Sequence, residues 1–276
     1  MMETGETLKG EEKYSYEDMT ERPFYKKISE KTLPNNINIR ALIDFATGAG
    51  SMIDAAIKKF GKLRNIFGID LDPKAIKSCE EKFSEDGVKL VIGNIQETPF
   101  SDKSADCITC ANAIHLTNIR DTLKEAYRVL REGGVLAINS AYIGDVMYPT
   151  EESAKLWGEI AIKAFKSAVS EGYGDALKSA RKDRRNKQIT QTGLQDYLEA
   201  LKDTGFQKIE YFFTVAKMNI DDMLAILNYD EFAQGALPGI PVGIAKRLLS
   251  QAARDIFSSL ENKYIERTWV IFNCQK

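Results

Sequence analysis

The sequence predicts an α/β fold in which helices cover both faces of a largely parallel sheet. Between residues 38 and 140, short apolar runs alternate with longer segments of helical periodicity. This alternation is typical of right-handed βαβ units, and near-continuous apolar strands are typical of a sheet buried on both faces. A chain of 276 residues is long enough to bury one sizeable core and a small accessory lobe.

The predicted strands and helices follow one another in a regular order. The strands are placed at Ala41–Ala46, Asn65–Asp70, Val88–Ile92, Ala105–Cys110 and Val135–Ser140. A helix is predicted over Ser51–Phe60, where Gly61 ends it, and another begins at Pro73, whose missing N–H is tolerated in a first turn. A third, amphipathic helix is predicted over Asn118–Arg131, where a Gly-Gly pair stops it.

Outside this region the pattern is mostly helical. Residues 1–37 are predicted to form an N-terminal cap, which is charged at 1–13 and helical from Tyr14 to Leu33. The rest of the chain is predicted to be one domain whose C-terminal half carries two helical insertions that form a lid. The domain is predicted over residues 38–276, and its insertions at about 145–190 and 220–262. Two further strands are predicted at Gly205–Val215 and Arg267–Asn273.

Composition argues against several classes of function. Lys and Arg total 38 against 40 Asp and Glu, and this near balance gives no general attraction to nucleic acid or anionic lipid. The densest basic run, Lys178 to Lys187, could contact RNA or an acidic carrier protein, but acidic residues surround it and aromatic residues are not interleaved, which favours a solvated helix face. Without a long apolar run, a signal peptide or a cysteine framework, the sequence predicts a cytoplasmic protein that does not enter a membrane.

Cys107 and Cys110 form a Cys-x-x-Cys pattern within a predicted strand. Residues three apart on a strand point to opposite faces, so the two thiolates could not bind one metal ion together. The chain has one histidine and no second cysteine pair of this kind. We therefore expect two core thiols here and no metal site.

A loop of small residues, Asp44-Phe45-Ala46-Thr47-Gly48-Ala49-Gly50, joins the first strand to the helix that follows. Small residues let a ligand approach the backbone, and the helix N-terminus favours a carboxylate or a phosphate. Asp70 ends the second strand, at the spacing where an acid reaches a ribose hydroxyl. A dinucleotide-binding fold would share these features, but Ile53 occupies the position of its third glycine.

Further motifs help to distinguish between the fold families that share such a loop. A helix leads into Arg128-Val129-Leu130-Arg131-Glu132-Gly133-Gly134-Val135-Leu136, and the chain ends in a Gly-Phe strand and a return strand with Trp269. With these motifs the sequence resembles the class I S-adenosylmethionine-dependent methyltransferases, closely over 38–140 and in outline over 191–276. It is most similar to the small-molecule branch with the pattern acid-x-Gly-x-Gly-x-Gly, although Ala46 replaces the first glycine. The resemblance implies a Rossmann-like, seven-stranded sheet in the order 3-2-1-4-5-7-6, with the last strand antiparallel.

The resemblance also implies where S-adenosylmethionine, and its product S-adenosylhomocysteine, would bind. Asp44 and the loop would surround the methionine part, and Asp70 would accept hydrogen bonds from both ribose hydroxyls. Asn94 stands where the family usually has an aspartate for the adenine amino group, and a neutral amide would weaken that contact by about 1 kcal/mol. The implied cofactor-binding residues are Asp44, Ala46, Thr47, Gly48, Gly50, Asp70, Leu71, Asn94, Ile95, Ala111 and Asn112.

Candidates for chemistry and substrate contact follow the strand ends and the lid. His115, after the fourth strand, is the obvious general base, while a packing role and a cofactor or substrate contact stay open for it. In relatives an N-terminal helix covers the cofactor, and Tyr14 and Tyr16 lie in the corresponding segment. The predicted substrate and lid residues, with ordinary core packing as the alternative for each, are Tyr14, Tyr16, Tyr142, Trp157 and Phe232.

The leading hypothesis is methyl transfer from S-adenosylmethionine to an oxygen, nitrogen or carbon atom of a small, hydrophobic metabolite. An alternative is a cyclase or other non-methylating enzyme that keeps the cofactor as a structural ligand, and Ala46 and Asn94 give it some support. Two further hypotheses are an interaction protein on a decayed scaffold and an NAD-dependent oxidoreductase. The sequence determines neither the substrate nor the oligomeric state.

Overall fold

A mixed sheet lies at the centre of the fold in the computed structural model, which describes residues 16–35, 37–61, 63–186 and 192–276, with backbone alone at 181–186. The strands in those ranges are β1 (Ala41–Phe45), β2 (Asn65–Asp70), β3 (Lys89–Ile92), β4 (Ala105–Ala111), β5 (Leu130–Ser140), β6 (Gln207–Met218) and β7 (Ile265–Gln275). Their order is β3-β2-β1-β4-β5-β7-β6, and β7 is antiparallel to both of its neighbours. The predicted order and the antiparallel strand are confirmed.

Helices flank this sheet, and several begin and end where the sequence predicted. Those described are α1 (Glu17–Thr20), α2 (Pro23–Thr32), α3 (Ser51–Phe60), α4 (Pro73–Lys82), α5 (Ile119–Val129), α6 (Glu151–Ala168), α7 (Gly174–Asn186), α8 (Leu194–Thr204), α9 (Ile220–Leu227), α10 (Asp230–Ala236) and α11 (Val242–Ser259). A short 3-10 turn at Ile114–Leu116 follows β4, and a π-helical turn at Val169–Tyr173 joins α6 to α7. Pro73 occupies the first turn of α4, as predicted.

The N-terminal segment is divided where the sequence predicted one continuous helix. α1 ends at Thr20 and α2 begins at Pro23, while Arg22 between them is extended, with ψ of 140°. A proline disfavours the helical conformation for the residue before it, which accounts for the break. Tyr14, the predicted start of the helix, lies outside the described residues.

α5 ends at Val129 rather than at the predicted Arg131. Leu130 is already extended and pairs with β4, so β5 begins there. Lys276 Nζ donates hydrogen bonds to the carbonyls of Tyr127 (2.6 Å) and Leu130 (2.7 Å), which satisfies acceptors at the end of the helix. The predicted end was wrong because Leu130 pairs with β4, a contact that no local pattern of the helix contains.

Cys107 and Cys110 lie on opposite faces of β4, as predicted. Cys107 belongs to the hydrophobic cluster that contains Leu42 and Ile53, whereas Cys110 belongs to another cluster, with Leu123. All four cysteines are free and buried. The described residues contain no cluster of His, Cys, Asp or Glu that could hold a metal ion.

The N-terminal helices and the insertions share one hydrophobic cluster. Its buried members include Tyr25 from α2, Trp157 from α6, Leu249 from α11 and Trp269 from β7, and Tyr142 packs against them. Because Tyr142 follows β5, these helices cover the carboxyl end of that strand. In the part of the chain that is described, no helix is both long and apolar enough to cross a membrane. The division into a cap over 1–37 and a domain over 38–276 stays a prediction.

Candidate cofactor and acceptor site

A cavity of about 380 Å³ lies where β1, β2, β3 and β4 end at the same edge of the sheet. In open α/β sheets this carboxyl edge is where ligands bind. The predicted site residues that line it are Asp44, Ala46, Thr47, Gly48, Asp70, Leu71, Asn94, Ile95, Ala111, Asn112, His115, Tyr16, Tyr142 and Phe232. Two others lie elsewhere: Gly50 forms the turn into α3, and Trp157 lines a second cavity.

The loop after β1 turns through left-handed backbone, with φ of 52° at Ala46, 54° at Gly48 and 74° at Gly50. This conformation costs a residue that has a Cβ about 1–2 kcal/mol. Ala46 therefore keeps the backbone that glycine would adopt there, at a cost in strain. The loop is anchored because the Thr47 N–H donates to the carbonyl of Ile69 in β2, at 3.0 Å.

Asp44 is buried beneath this loop, with 1% of its surface exposed. Its carboxylate accepts hydrogen bonds from Thr47 Oγ1 (2.8 Å) and Thr109 Oγ1 (2.7 Å). Burial raises the pKa of Asp44 to about 7, and the negative charge of Asp70 adds to the rise. A cationic ligand group in the cavity would favour the ionised form, so Asp44 is suited to receive one.

Asp70 holds the backbone around it with both carboxylate oxygens. Oδ2 accepts a hydrogen bond from the Gly48 N–H (2.9 Å), and Oδ1 accepts one from the Asp72 N–H (3.0 Å). Burial raises the pKa of Asp70, while these backbone N–H groups oppose the rise. A carboxylate offers about four acceptor positions. Each oxygen therefore keeps capacity for a ligand hydroxyl, which suits a vicinal diol.

Asn94 and its neighbours form a part of the cavity with apolar walls. Asn94 Oδ1 accepts a hydrogen bond from the Gln96 N–H at 3.0 Å, and its second lone pair stays available for a ligand. Ile95 is buried, whereas Leu71 is 67% exposed at the cavity. An exposed leucine beside acidic groups gives a flat, apolar ring a surface on which to pack.

His115 stacks on Tyr142, with their ring centroids 4.2 Å apart. Burial lowers the pKa of His115 to about 3, and the positive charge of Arg267 contributes to the shift. The imidazole is therefore neutral near pH 7, and its buried Nδ1 has no hydrogen-bond partner among the described residues. Because so weak a base takes up a proton poorly, the environment favours contact with cofactor or substrate over general-base catalysis.

Asn112 connects the cavity to the N-terminal helices. Its Oδ1 accepts a hydrogen bond from the Ala141 N–H (3.0 Å), and its Nδ2 donates to Tyr16 Oη (3.2 Å). Tyr16 in turn shares a hydrogen bond of 2.9 Å with the hydroxyl of Tyr25. These contacts bring Tyr16 to the cavity wall, where the sequence predicted a lid residue.

Sequence reasoning missed several residues of the site. Thr109, on β4, anchors Asp44, and its signal was a polar residue inside an apolar strand. Ile226 and Tyr229 line the cavity from α9 and the turn that follows it. They give no local signal, because their position depends on how the second insertion packs against the N-terminal helices.

Part of the chain that forms this site matches a known protein family. Residues 43–138 match the methyltransferase domain family. The ubiquinone/menaquinone biosynthesis C-methyltransferase of Citrobacter koseri is 25% identical over 179 residues, which cover 63% of this chain and 68% of that protein. The demethylmenaquinone methyltransferase of Staphylococcus aureus is 32% identical over 117 residues, which cover 40% of this chain and 48% of that protein.

A solved structure extends the likeness to the whole fold. Phosphoethanolamine N-methyltransferase 2 of Haemonchus contortus, in complex with phosphomonomethylethanolamine and S-adenosylhomocysteine, aligns with a TM-score of 0.56 at 19% identity. The alignment covers 95% of this chain and 56% of that one. Together with the sheet order, these findings show a methyltransferase domain over residues 43–138 within the fold of the class I S-adenosylmethionine-dependent methyltransferases.

Proposed function

We propose that the protein transfers a methyl group from S-adenosylmethionine to an oxygen, nitrogen or carbon atom of a small metabolite with an apolar body. The observation that carries this proposal is one cavity with two chemically different halves. Asp44 and Asp70 line it at the ends of β1 and β2, which we call its acidic half, and the rings of Tyr142, Tyr229 and Phe232, with Glu231 beside them, line it after β5 and from the second insertion, which we call its aromatic half. The acidic half suits a cofactor with an ammonium group and a ribose, and the aromatic half suits an apolar acceptor.

The residues of the acidic half fit S-adenosylmethionine. We assign the remaining acceptor positions of Asp70 to the ribose hydroxyls and the carboxylate of Asp44 to the ammonium group. Leu71 and Ile95 would pack beside adenine, and Asn94 Oδ1 would accept from its amino group. When bound, this cofactor supplies an activated methyl group on a sulfonium.

The chain's own contribution is alignment of the acceptor and exclusion of water. Burial keeps His115 neutral and raises the pKa of Tyr16 well above its usual range, so neither moves a proton readily near pH 7. We infer that the acceptor atom is nucleophilic without a strong protein base. An unprotonated amine nitrogen, an already ionised oxygen or an electron-rich ring carbon meets this condition.

Two measurements test the proposed function. Isothermal titration with S-adenosylmethionine and with S-adenosylhomocysteine is expected to give saturable binding of both, and no binding at millimolar ligand would contradict the cofactor assignment. A tritiated-methyl assay over small aromatic and amine acceptors is expected to give labelled product. Product that forms without label would support the non-methylating alternative instead.

The affinity for S-adenosylmethionine is expected to rise from about pH 5 to about pH 7 and then to level off. Asp44, whose pKa is raised to about 7, is mostly protonated below that pH in the free protein. It must lose this proton to pair with the ammonium group, so binding releases a proton in this window. Titration calorimetry in buffers of different ionisation enthalpy measures the released proton directly.

Asp44→Asn is expected to weaken cofactor binding and to remove this pH dependence, while raising the melting temperature of the free protein at pH 8. The folded-state pKa lies above the unfolded value of 3.8, so ionised Asp44 destabilises the folded state increasingly from about pH 4 to about pH 7. Asparagine buries no charge. Asp54→Asn, which removes an acid paired with Lys58 on the α3 surface, is the control. A flat pH profile in the unaltered protein would contradict the assignment.

A further inference from the structure

Arg267, on β7, is a buried cation with no carboxylate partner among the described residues. Only 4% of the surface of this residue is exposed. Nε and Nη2 both donate to the same carbonyl, that of Ala141, at 3.2 and 2.9 Å. The neighbouring acid, Glu266, pairs with Lys217 instead. A guanidinium carries five N–H donors, so this single carbonyl uses only part of its capacity.

Aromatic rings surround the guanidinium without neutralising it. Its Cζ lies 4.6 Å from the ring centroid of Tyr142, 4.8 Å from that of Trp157 and 5.6 Å from that of Tyr148. The face of an aromatic ring attracts a cation but carries no net charge. Buried charges in proteins are as a rule paired or engaged with a ligand, because an unpaired one is costly to desolvate. The arrangement therefore lacks an anion.

Arg267 borders a second cavity, of about 290 Å³, with otherwise mostly apolar walls. Those walls include Met147, Trp157, Ile160, Leu227 and Leu249. Tyr142 and Phe232 line both this cavity and the cofactor cavity, so the two cavities are adjacent. A mostly apolar pocket with a few polar groups that fix orientation is the usual form of a small-molecule site.

We propose that the second cavity holds the distal end of the methyl acceptor and that Arg267 binds a carboxylate at that end. The inference rests on the proposed function and adds a substrate class to it: an apolar molecule that is anionic at the end remote from the methylated atom. A guanidinium suits this role because its parallel N–H groups match the geometry of a carboxylate. Tyr142 and Phe232, which line both cavities, would contact the middle of the acceptor.

The test compares matched carboxylates and carboxamides as probes. Hexanoate, decanoate and 4-phenylbutanoate, each beside its primary amide, are titrated into the protein saturated with S-adenosylhomocysteine. For at least one pair, the carboxylate is expected to bind about tenfold or more tighter than the amide, as charge-assisted hydrogen bonds do. Arg267→Gln is expected to abolish this preference, and Arg267→Lys to keep part of it, because lysine retains the charge without the planar fork.

Lys217→Gln is the matched control, since it removes an exposed cation from the adjacent strand and is expected to leave the preference unchanged. Equal affinity for carboxylate and amide in all three pairs would overturn the inference, as would a preference that survives in Arg267→Gln. Should Arg267→Gln fail to fold, the comparison of pairs in the unaltered protein and in Arg267→Lys still decides. S-adenosylhomocysteine binding is measured separately, so loss of the proposed function would show as absent cofactor binding whatever the probes do.

Discussion

Replacing Asp70 with alanine is expected to weaken S-adenosylmethionine binding by about a hundredfold or more. In the proposed assignment Asp70 accepts a hydrogen bond from each of the two ribose hydroxyls, and each such charge-assisted hydrogen bond contributes about 1.5–3 kcal/mol. The same carboxylate also positions the Gly48 N–H at 2.9 Å, so the loop beside the ligand would lose an anchor. Isothermal titration measures the loss. Asp70→Asn should give an intermediate affinity, because an amide oxygen accepts hydrogen bonds but carries no charge.

Asp54→Ala is the matched control for this prediction. Asp54 lies on α3, outside the residues that line the cavity, and its carboxylate pairs with Lys58 Nζ at 2.7 Å. Loss of such an i,i+4 pair costs about 0.3–0.5 kcal/mol of stability, and the affinity for cofactor should stay within about threefold of the unaltered value, because Asp54 has no assigned ligand contact. If Asp70→Ala binds the cofactor as tightly as Asp54→Ala does, the ribose assignment is wrong.

Gly50→Ala is expected to destabilise the protein by about 2–5 kcal/mol, from left-handed strain and overpacking combined. Gly50 precedes α3 with φ of 74°, a conformation that strains a residue with a Cβ. A Cβ built there would lie 2.3 Å from Phe83 Cε2 and 2.9 Å from Cys79 Sγ, both on or beside α4. The expected fall in melting temperature is roughly 5 °C or more. Thermal unfolding without ligand measures it.

Gly87→Ala separates the two causes. Gly87 has nearly the same φ, 71°, but nothing lies within 4 Å of a Cβ built there, so this variant reports the backbone strain alone. The difference in stability between the two variants measures the contacts with Phe83 and Cys79, and Phe83→Leu in the Gly50→Ala background should recover part of the lost stability. Equal stability of the two glycine variants would show that Phe83 and Cys79 yield without cost.

Much of the fold could be predicted because its signals are local. The ends of α3 at Ser51 and Phe60 follow from a small-residue loop before the helix and Gly61 after it, and both predictions are confirmed. The bounds of β2 are confirmed as well. The predicted sheet order is also confirmed, although it came from resemblance to a family rather than from any pattern in the strands themselves.

The site was predicted in its acidic half and only partly in its aromatic half. Asp44 and Asp70 stand directly at strand ends, and parallel strands bring such residues to one edge of the sheet. The aromatic half depends on insertions that fold over that edge. Phe232 lies there as predicted, but Trp157 instead lines the second cavity with Arg267, and Tyr229 was not anticipated. Helix packing decides such positions, and no spacing along the chain reveals it.

The sequence by itself therefore determined the order of strands and helices, the cofactor loop and the two acids, because each depends on residues close together in the chain. Only the tertiary structure decided what those residues meet. It gave Ala46 a left-handed backbone, buried Asp44 against Thr109 and brought Lys276 to the carbonyls at the end of α5. It also enclosed Arg267 among aromatic rings without a counter-ion among the described residues. Burial and long-range hydrogen bonds set these environments, and both arise only when distant segments pack together.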